Sequence, residues 1–188
     1  MQQNEDENVR LARELLEDRI DPRNSSRGIA LLVLADHAVK TGRYDIILEA
    51  MDNLYPHLFD DPPYDLDKDF GATYLAGRAL IQSGDVDRGA HLVNSFLDLQ
   101  ERYAEVYGVG SRSIASRILL GETDDAMERL DRFVKRHNSG FLTWLALEHS
   151  PVYDSIRDEP AFIALLDGRR KNAEKQRQIL QTMNEDSS

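Results

Sequence analysis

The sequence predicts an all-α protein, an α-solenoid of stacked antiparallel helical hairpins with a C-terminal capping helix. Apolar residues recur at spacings of three and four positions, which is the period of a helix rather than that of a strand. Glycine and proline interrupt the chain at intervals instead of gathering in linkers. Short helix pairs recur around Gly42, Gly84 and Gly121, and recurrence at such intervals is typical of helical repeats that stack.

Composition limits the class of protein further. The chain has 188 residues, of which 41% are hydrophobic, so it is long enough for one domain, residues 1–188. Its formal charge of −11 argues against direct binding to nucleic acid. No cysteine is present, and no window of the sequence approaches twenty apolar residues. We therefore expect no membrane insertion and a cytoplasmic location, or a periplasmic one if the chain is the tail of a membrane-anchored regulator.

The first elements form a helix followed by a hairpin. Residues 5–20 read as an amphipathic helix with Val9, Ala12, Leu15, Leu16 and Ile20 on one side. Residues 21–27 have the composition of a loop, and a second helix is predicted from about Gly28 to Thr41. A third helix then runs from Tyr44 to Leu54. The short connection around Gly42 makes the second and third helices a helical hairpin.

Two further hairpins are predicted, so that the repeat pairs cover about residues 28–56, 68–100 and 109–137. A capping region follows at residues 141–182. In it Pro151 ends a short helix that carries Trp144, and Pro160 lies in the first turn of the last helix, where a missing amide hydrogen is tolerated. An apolar stripe of Phe162, Leu165 and Leu166 is expected to close the open end of the stack.

Each turn glycine belongs to a recurring pattern of small or apolar residues. It lies seven positions after one such residue and five before another, in the triplets Ala35, Gly42 and Ile47; Gly77, Gly84 and Gly89; and Ile114, Gly121 and Ala126. Because antiparallel helices approach closely only where side chains are small, Ala35, Gly77 and Gly89 are predicted to mark close helix contacts. The pattern resembles tetratricopeptide repeats, in divergent copies longer than the usual length of about 34 residues. An unrelated helical array is the alternative.

A second resemblance covers residues 55–180. It is densest in Trp144, Leu147, Pro151, Tyr153, Arg157, Pro160, Phe162, Leu165 and Leu166, which precede a basic helix with Arg169, Arg170, Lys171, Lys175, Gln176 and Arg177. This stretch resembles the C-terminal repeat region of bacterial winged-helix regulators and of class III adenylyl cyclases. The resemblance implies that the chain is the regulatory tail of a longer protein. From the residues themselves, we expect the basic run to contact acidic groups of this chain or of a partner.

No catalytic or metal-binding constellation is evident in the sequence. The histidines are isolated, without a second histidine at i+3 or i+4. Aspartates at 60, 61, 65, 67 and 69 suggest a calcium loop, but Gly71 and Ala76 then fall out of register, so these aspartates are predicted to cap loops and a helix. Nucleophile elbows, phosphate loops and dinucleotide fingerprints are also missing. We expect no enzyme, no metal and no cofactor.

The first helices of stacked hairpins line a concave groove, which predicts a binding function. In the tetratricopeptide register the groove positions are Ile29, Leu32, Asp36, Val39, Tyr74, Arg78, Ile81, Ser111, Arg112, Ala115 and Ile118. The principal site residues among them are Asp36, Tyr74, Arg78, Ser111 and Arg112. An aromatic ring and guanidinium groups suit a peptide with a carboxylate. The alternative for each residue is packing against the neighbouring helix.

Two functions of different classes follow from this fold. The first is a scaffold or adaptor that binds a protein, a peptide or a partner helix. The second is an effector-sensing regulatory module, in which a small ligand changes the curvature of the repeats and acts on an attached domain. The first helix either covers the groove or pairs with a second copy of the chain, so a homodimer is among the partners that the sequence allows.

Overall fold

The computed structural model describes residues 2–17, 25–66, 69–103, 110–136 and 147–185. Every element of secondary structure in these ranges is helical, which confirms the all-α prediction. The chain divides into two compact units, Met1–Tyr103 and Ala104–Ser188, and each is described by itself. The single domain over residues 1–188 and the stacking of all three hairpins in one solenoid stay predictions.

Unit 1 is a chain of helices in which each packs against the next. Its elements are α1 (Gln2–Glu17), α2 (Ser25–Thr41), α3 (Tyr44–Leu54), a 3-10 helix (Pro56–Leu58), α4 (Phe70–Ser83) and α5 (Val86–Arg102). Helix α1 packs on α2, α2 on α3, α3 on α4, and α4 on α5. The predicted bounds of α3 are confirmed. The predicted loop at 21–27 is wrong in its last residues, because α2 already begins at Ser25, and serine is well tolerated where a helix begins.

The predicted turn glycines all adopt left-handed backbone conformations. Gly42, Gly84 and Gly121 have φ angles of 72°, 101° and 77°. The amide of Gly84 donates to Ile81 O at 3.1 Å and that of Asp85 to Leu80 O at 3.0 Å, and the same two bonds recur at Gly121 and Glu122. Both helix ends therefore use one hydrogen-bonding pattern, which requires the conformation that glycine adopts without steric cost.

The core of unit 1 is aliphatic with an aromatic centre. Phe96, on α5, is fully buried, and its ring centroid lies 4.5 Å from that of Phe70 and 5.2 Å from that of Tyr74. The other large, fully buried side chains of this unit are Leu34, Ile47, Met51, Leu58, Leu92 and Val93. They come from α2, α3, the 3-10 helix and α5, and α3 of the first hairpin packs on α4 of the second.

Unit 2 begins with the third predicted hairpin. Its elements are α6 (Ser111–Leu119), α7 (Thr123–Arg136), a 3-10 helix (Pro151–Ile156) and α8 (Pro160–Glu185). Phe162 is fully buried in a cluster with residues of α6 and α7, its ring stacks 5.6 Å from that of Tyr153, and Leu165 and Leu166 pack against the cluster. The apolar stripe on the last helix is confirmed for this unit, and Trp144 lies outside the described residues.

A buried arginine joins the two helices of this hairpin. Arg117, on α6, is only 7% exposed. Its guanidinium lies 2.8 Å from a carboxylate oxygen of Glu122 and 2.8 Å from one of Asp125. Asp125 also pairs with Arg129, one turn further along α7. Two carboxylates thus compensate the one cation that unit 2 buries most deeply among its described residues.

Candidate functional site

The five predicted site residues are divided between the two units. Asp36 lies on α2, and Tyr74 and Arg78 lie on α4, all in unit 1. Ser111 and Arg112 are the first two residues of α6 in unit 2 and are both exposed. The structure therefore brings three of the five into one unit.

The face of α2 predicted to line the groove is open to solvent. Ile29 is 61% exposed and Leu32 is 47% exposed, although both are large aliphatic residues. Asp36 follows them on the same side of the helix, at the spacing of neighbouring turns. Its carboxylate is 2.8 Å from Lys40 Nζ, so Asp36 is already in an exposed ion pair. This face therefore offers apolar contact area beside a compensated charge.

Tyr74 is a core residue rather than a surface residue. Its side chain is 4% exposed and its ring packs against Phe96. For Tyr74 the alternative, packing against the neighbouring helix, is the one that applies, because α4 is buried on most of its circumference between α3 and α5. A partner could not reach this ring without opening unit 1, and Tyr74 is therefore corrected from a surface contact to a structural residue.

Arg78 differs from most of the other enclosed arginines. It is half-buried, and its Nε atom is shielded from solvent without a hydrogen-bond partner in the described part of the chain. Arg117, Arg129, Arg157 and Arg169 are also partly or fully buried, but each of them contacts a carboxylate or a backbone carbonyl. Among the enclosed arginines of the described ranges, the Nε atoms of Arg27 and Arg117 are also shielded without a hydrogen bond, although Arg117 Nε lies 2.8 Å from a carboxylate oxygen of Asp125.

The start of α4 carries a cluster that sequence analysis missed. Asp69 precedes α4 but makes no side-chain capping bond, so the capping prediction is wrong for this residue. Its Oδ2 atom instead lies 3.2 Å from His57 Nε2, and the histidine ring lies 6.3 Å from that of Tyr55 and 5.6 Å from that of Tyr64. No local motif links these residues, because the contact depends on how the segment between α3 and α4 folds back.

Electrostatics at this cluster act on the phenol of Tyr55. Burial is the main cause that raises its pKa above the ordinary value, and the negative charge of Asp69 raises the pKa further. The positive charge of Arg27 opposes both. The neutral phenol is therefore the favoured form in the folded protein.

Described residues of unit 1 line cavities in two places. One, of about 260 Å³, lies between α1 and α3. The other, of about 250 Å³, lies between α5 and the segment that contains Asp60 and Asp61, with Asp87 in its wall. Among the described residues, no group of three or more histidine, aspartate or glutamate side chains could share a metal ion. Asp67, another of the predicted capping aspartates, lies outside those residues.

The basic run on α8 contacts acidic and carbonyl groups of its own unit. Arg170 pairs with Glu148, and Arg169 donates to the carbonyl oxygen of Val134. The contact with an acidic group expected of this run is thus confirmed for Arg170, whereas Arg169 contacts a backbone carbonyl instead. No helix of the described ranges is both long and apolar enough to cross a bilayer.

Comparisons with known proteins give no assignment. The chain matches no protein-family model, and no curated protein and no solved structure shows significant similarity to it. What these residues can do must therefore be argued from the geometry of the site, since fold class alone does not determine function.

Proposed function

We propose that this protein is a binding module, a scaffold or adaptor that holds a peptide or a partner helix, and that Arg78 receives a carboxylate of that partner. The observation that carries the proposal is the half-buried guanidinium of Arg78, which has no partner among the residues that the structure describes and whose Nε is shielded from solvent. Four other enclosed arginines of the described ranges have carboxylate or carbonyl partners, namely Arg117, Arg129, Arg157 and Arg169.

An enclosed cation without a partner is unfavourable, because the water that it loses on folding is not replaced by another acceptor. A carboxylate from outside would restore these contacts, and the planar fork of a guanidinium matches its two oxygens. The partner would thus gain affinity by supplying the acceptor that Arg78 lacks among the described residues. Ile81, half-buried and one turn further along α4, would supply apolar contact beside the charged pair.

The open face of α2 supports a second contact. Ile29 and Leu32 give adjacent aliphatic area, which suits the apolar side chains of a peptide or of an amphipathic helix. We therefore expect a partner that combines a carboxylate with aliphatic residues. Ser111 and Arg112, at the start of α6, remain candidates for a further contact from unit 2.

The test is a peptide-library selection on the intact protein, followed by calorimetry with the selected peptides. Arg78→Gln should weaken binding by about tenfold or more, which corresponds to loss of a charge-assisted contact. Arg102→Gln is the matched control, since it removes an exposed positive charge from α5. Neutralising the peptide carboxylate should produce the same loss, and combining both changes should add little more. Full affinity of a folded Arg78→Gln protein would contradict the proposal.

The second candidate function is an effector-sensing regulatory module, the tail of a bacterial transcription regulator or adenylyl cyclase. The observation that favours it is the cavity between α1 and α3, which is of a size for a small molecule. A reading frame that encodes a cyclase or a winged-helix domain ahead of this sequence would support this function over a free adaptor.

A further inference from the structure

The cavity between α1 and α3 has an aliphatic floor. Ile46, Ala50 and Leu54 line it from α3, and Leu16 lines it from α1. The three α3 residues recur at four-residue spacing, so one face of this helix forms a continuous apolar wall. The volume of about 260 Å³ lies below the roughly 300–1,000 Å³ of sites for drug-sized ligands. The cavity therefore suits a compact molecule with a branched aliphatic group.

The charged groups that line this cavity have opposite signs and come from different helices. Arg13 lines the cavity from α1, and Glu49 and Asn53 line it from α3. Neither Arg13 nor Glu49 forms a hydrogen bond or an ion pair in the described part of the chain, and the two do not pair with each other. By contrast, Arg10, one turn before Arg13, is held by Glu7 and Glu14.

We propose that this cavity binds a small zwitterion with an aliphatic side chain, namely a free α-amino acid of the leucine type. Arg13 binds the carboxylate and Glu49 binds the ammonium group, while the carboxamide of Asn53 can donate to or accept from either. The aliphatic floor takes the side chain, and its burial supplies the apolar part of the affinity. The proposal concerns helices other than α4 and does not rest on the role of Arg78.

Both charges of the ligand are needed on this view. A carboxylate without an ammonium group would leave Glu49 unpaired beside it, and an amine without a carboxylate would leave Arg13 in the same state. A residue within a peptide has neither charge, and a peptide terminus has only one. The free amino acid is thus the form that compensates both walls of the cavity.

The experiment is calorimetric titration of the full chain with L-leucine, N-acetyl-leucine and leucinamide. L-Leucine should bind, and each derivative should bind at least about tenfold more weakly because it lacks one charge. Arg13→Gln and Glu49→Gln should each lower the affinity for L-leucine by about tenfold or more. Arg10→Gln and Asp52→Asn are the matched controls, because they alter exposed charges on α1 and α3 that do not line the cavity. They should leave the affinity within about twofold.

Three results would overturn the proposal. These are no heat of binding with L-leucine at concentrations that saturate a site with a Kd of about 1 mM, equal binding of leucinamide, and unchanged affinity in Arg13→Gln and Glu49→Gln. Far-UV circular dichroism of each variant checks that it is folded. A further variant, Leu16→Asn, changes the floor of the cavity instead of its charges and should also weaken the binding of L-leucine. The site is then tested by two independent routes.

Discussion

Gly77 on α4 and Gly89 on α5 meet backbone to backbone. A Cβ atom on Gly89 would lie 2.7 Å from the carbonyl oxygen of Gly77, and also 2.7 Å from the amide nitrogen of Ile81. A Cβ atom on Gly77 would in turn lie 3.0 Å from the carbonyl oxygen of Gly89. The two helices thus touch where neither has a side chain, and this contact sets their separation.

Gly89→Ala should therefore destabilise unit 1. The added methyl group would press on backbone atoms, which cannot rotate away, so the free energy of unfolding should fall by about 1–3 kcal/mol. Gly28→Ala is the matched control, because Gly28 lies within α2 and nothing stands within 4 Å of its added Cβ. That variant should gain about 0.5–1 kcal/mol from helix propensity. Urea unfolding followed by circular dichroism gives both values, and a Gly89→Ala protein as stable as Gly28→Ala would refute the close contact.

The sequence was sufficient to predict the helical hairpins and their turns. Glycine at 42, 84 and 121 and the small pair at 77 and 89 are local or short-range signals, and the structure has a left-handed turn or a close helix contact at each. Such features are predictable because a single residue type meets the backbone requirement. The chain thus encodes its turns in a few residues that do not depend on distant contacts.

The site was harder to predict, because its residues depend on packing between helices. Tyr74 has the spacing of a groove residue, but its ring belongs to an aromatic cluster in which Phe96 contacts both Tyr74 and Phe70. Asp69 has the composition and position of a cap, yet its carboxylate lies beside His57, twelve residues earlier. Neither partner is visible from helical periodicity, since both contacts join separate elements.

The ion pairs of Arg117 in unit 2 should contribute more to the free energy of unfolding than exposed ion pairs do. Glu122→Gln combined with Asp125→Asn removes the two carboxylates with which Glu122 and Asp125 compensate the enclosed guanidinium, and should lower the free energy of unfolding by about 1–3 kcal/mol. Glu128→Gln is the control on the same helix, because the Glu128–Arg132 pair is largely exposed. Its effect should be below about 0.5 kcal/mol. Equal small effects in both proteins, measured by urea unfolding, would mean that Arg117 is well solvated.

Arg78 should be unfavourable to the free protein even though it serves binding. Arg78→Met keeps the length of the side chain and removes the unpaired charge, so the free energy of unfolding should rise by about 1 kcal/mol. Arg157→Met is the opposite case, because Arg157 donates to the carbonyl oxygens of Glu148 and Ser150 at 2.6 and 3.2 Å. That change should be destabilising. If Arg78→Met also lowers stability, its guanidinium is already satisfied in the free protein.

The pKa of Tyr55 gives a prediction for alkaline pH. Because burial and the charge of Asp69 raise this pKa in the folded state, the neutral phenol stabilises the fold. Its contribution is complete below the unfolded value of about 10 and is lost as the pH rises through the higher folded value. A titration of ¹³Cζ-labelled tyrosine should find Tyr55 deprotonating above pH 10, and Tyr55→Phe identifies its signal.

Asp69→Asn should lower the pKa of Tyr55 towards its ordinary value without reaching it, because burial, the larger cause, remains. The decline in stability at alkaline pH should still begin near the unfolded value of about 10, but it should be smaller and end at lower pH than in the parent protein. Asp52→Asn, on the exposed side of α3, is the control and should leave the titration of Tyr55 unchanged. If Asp69→Asn and Asp52→Asn behave alike, the carboxylate beside His57 does not act on the phenol, and the cluster at the start of α4 is held by packing alone.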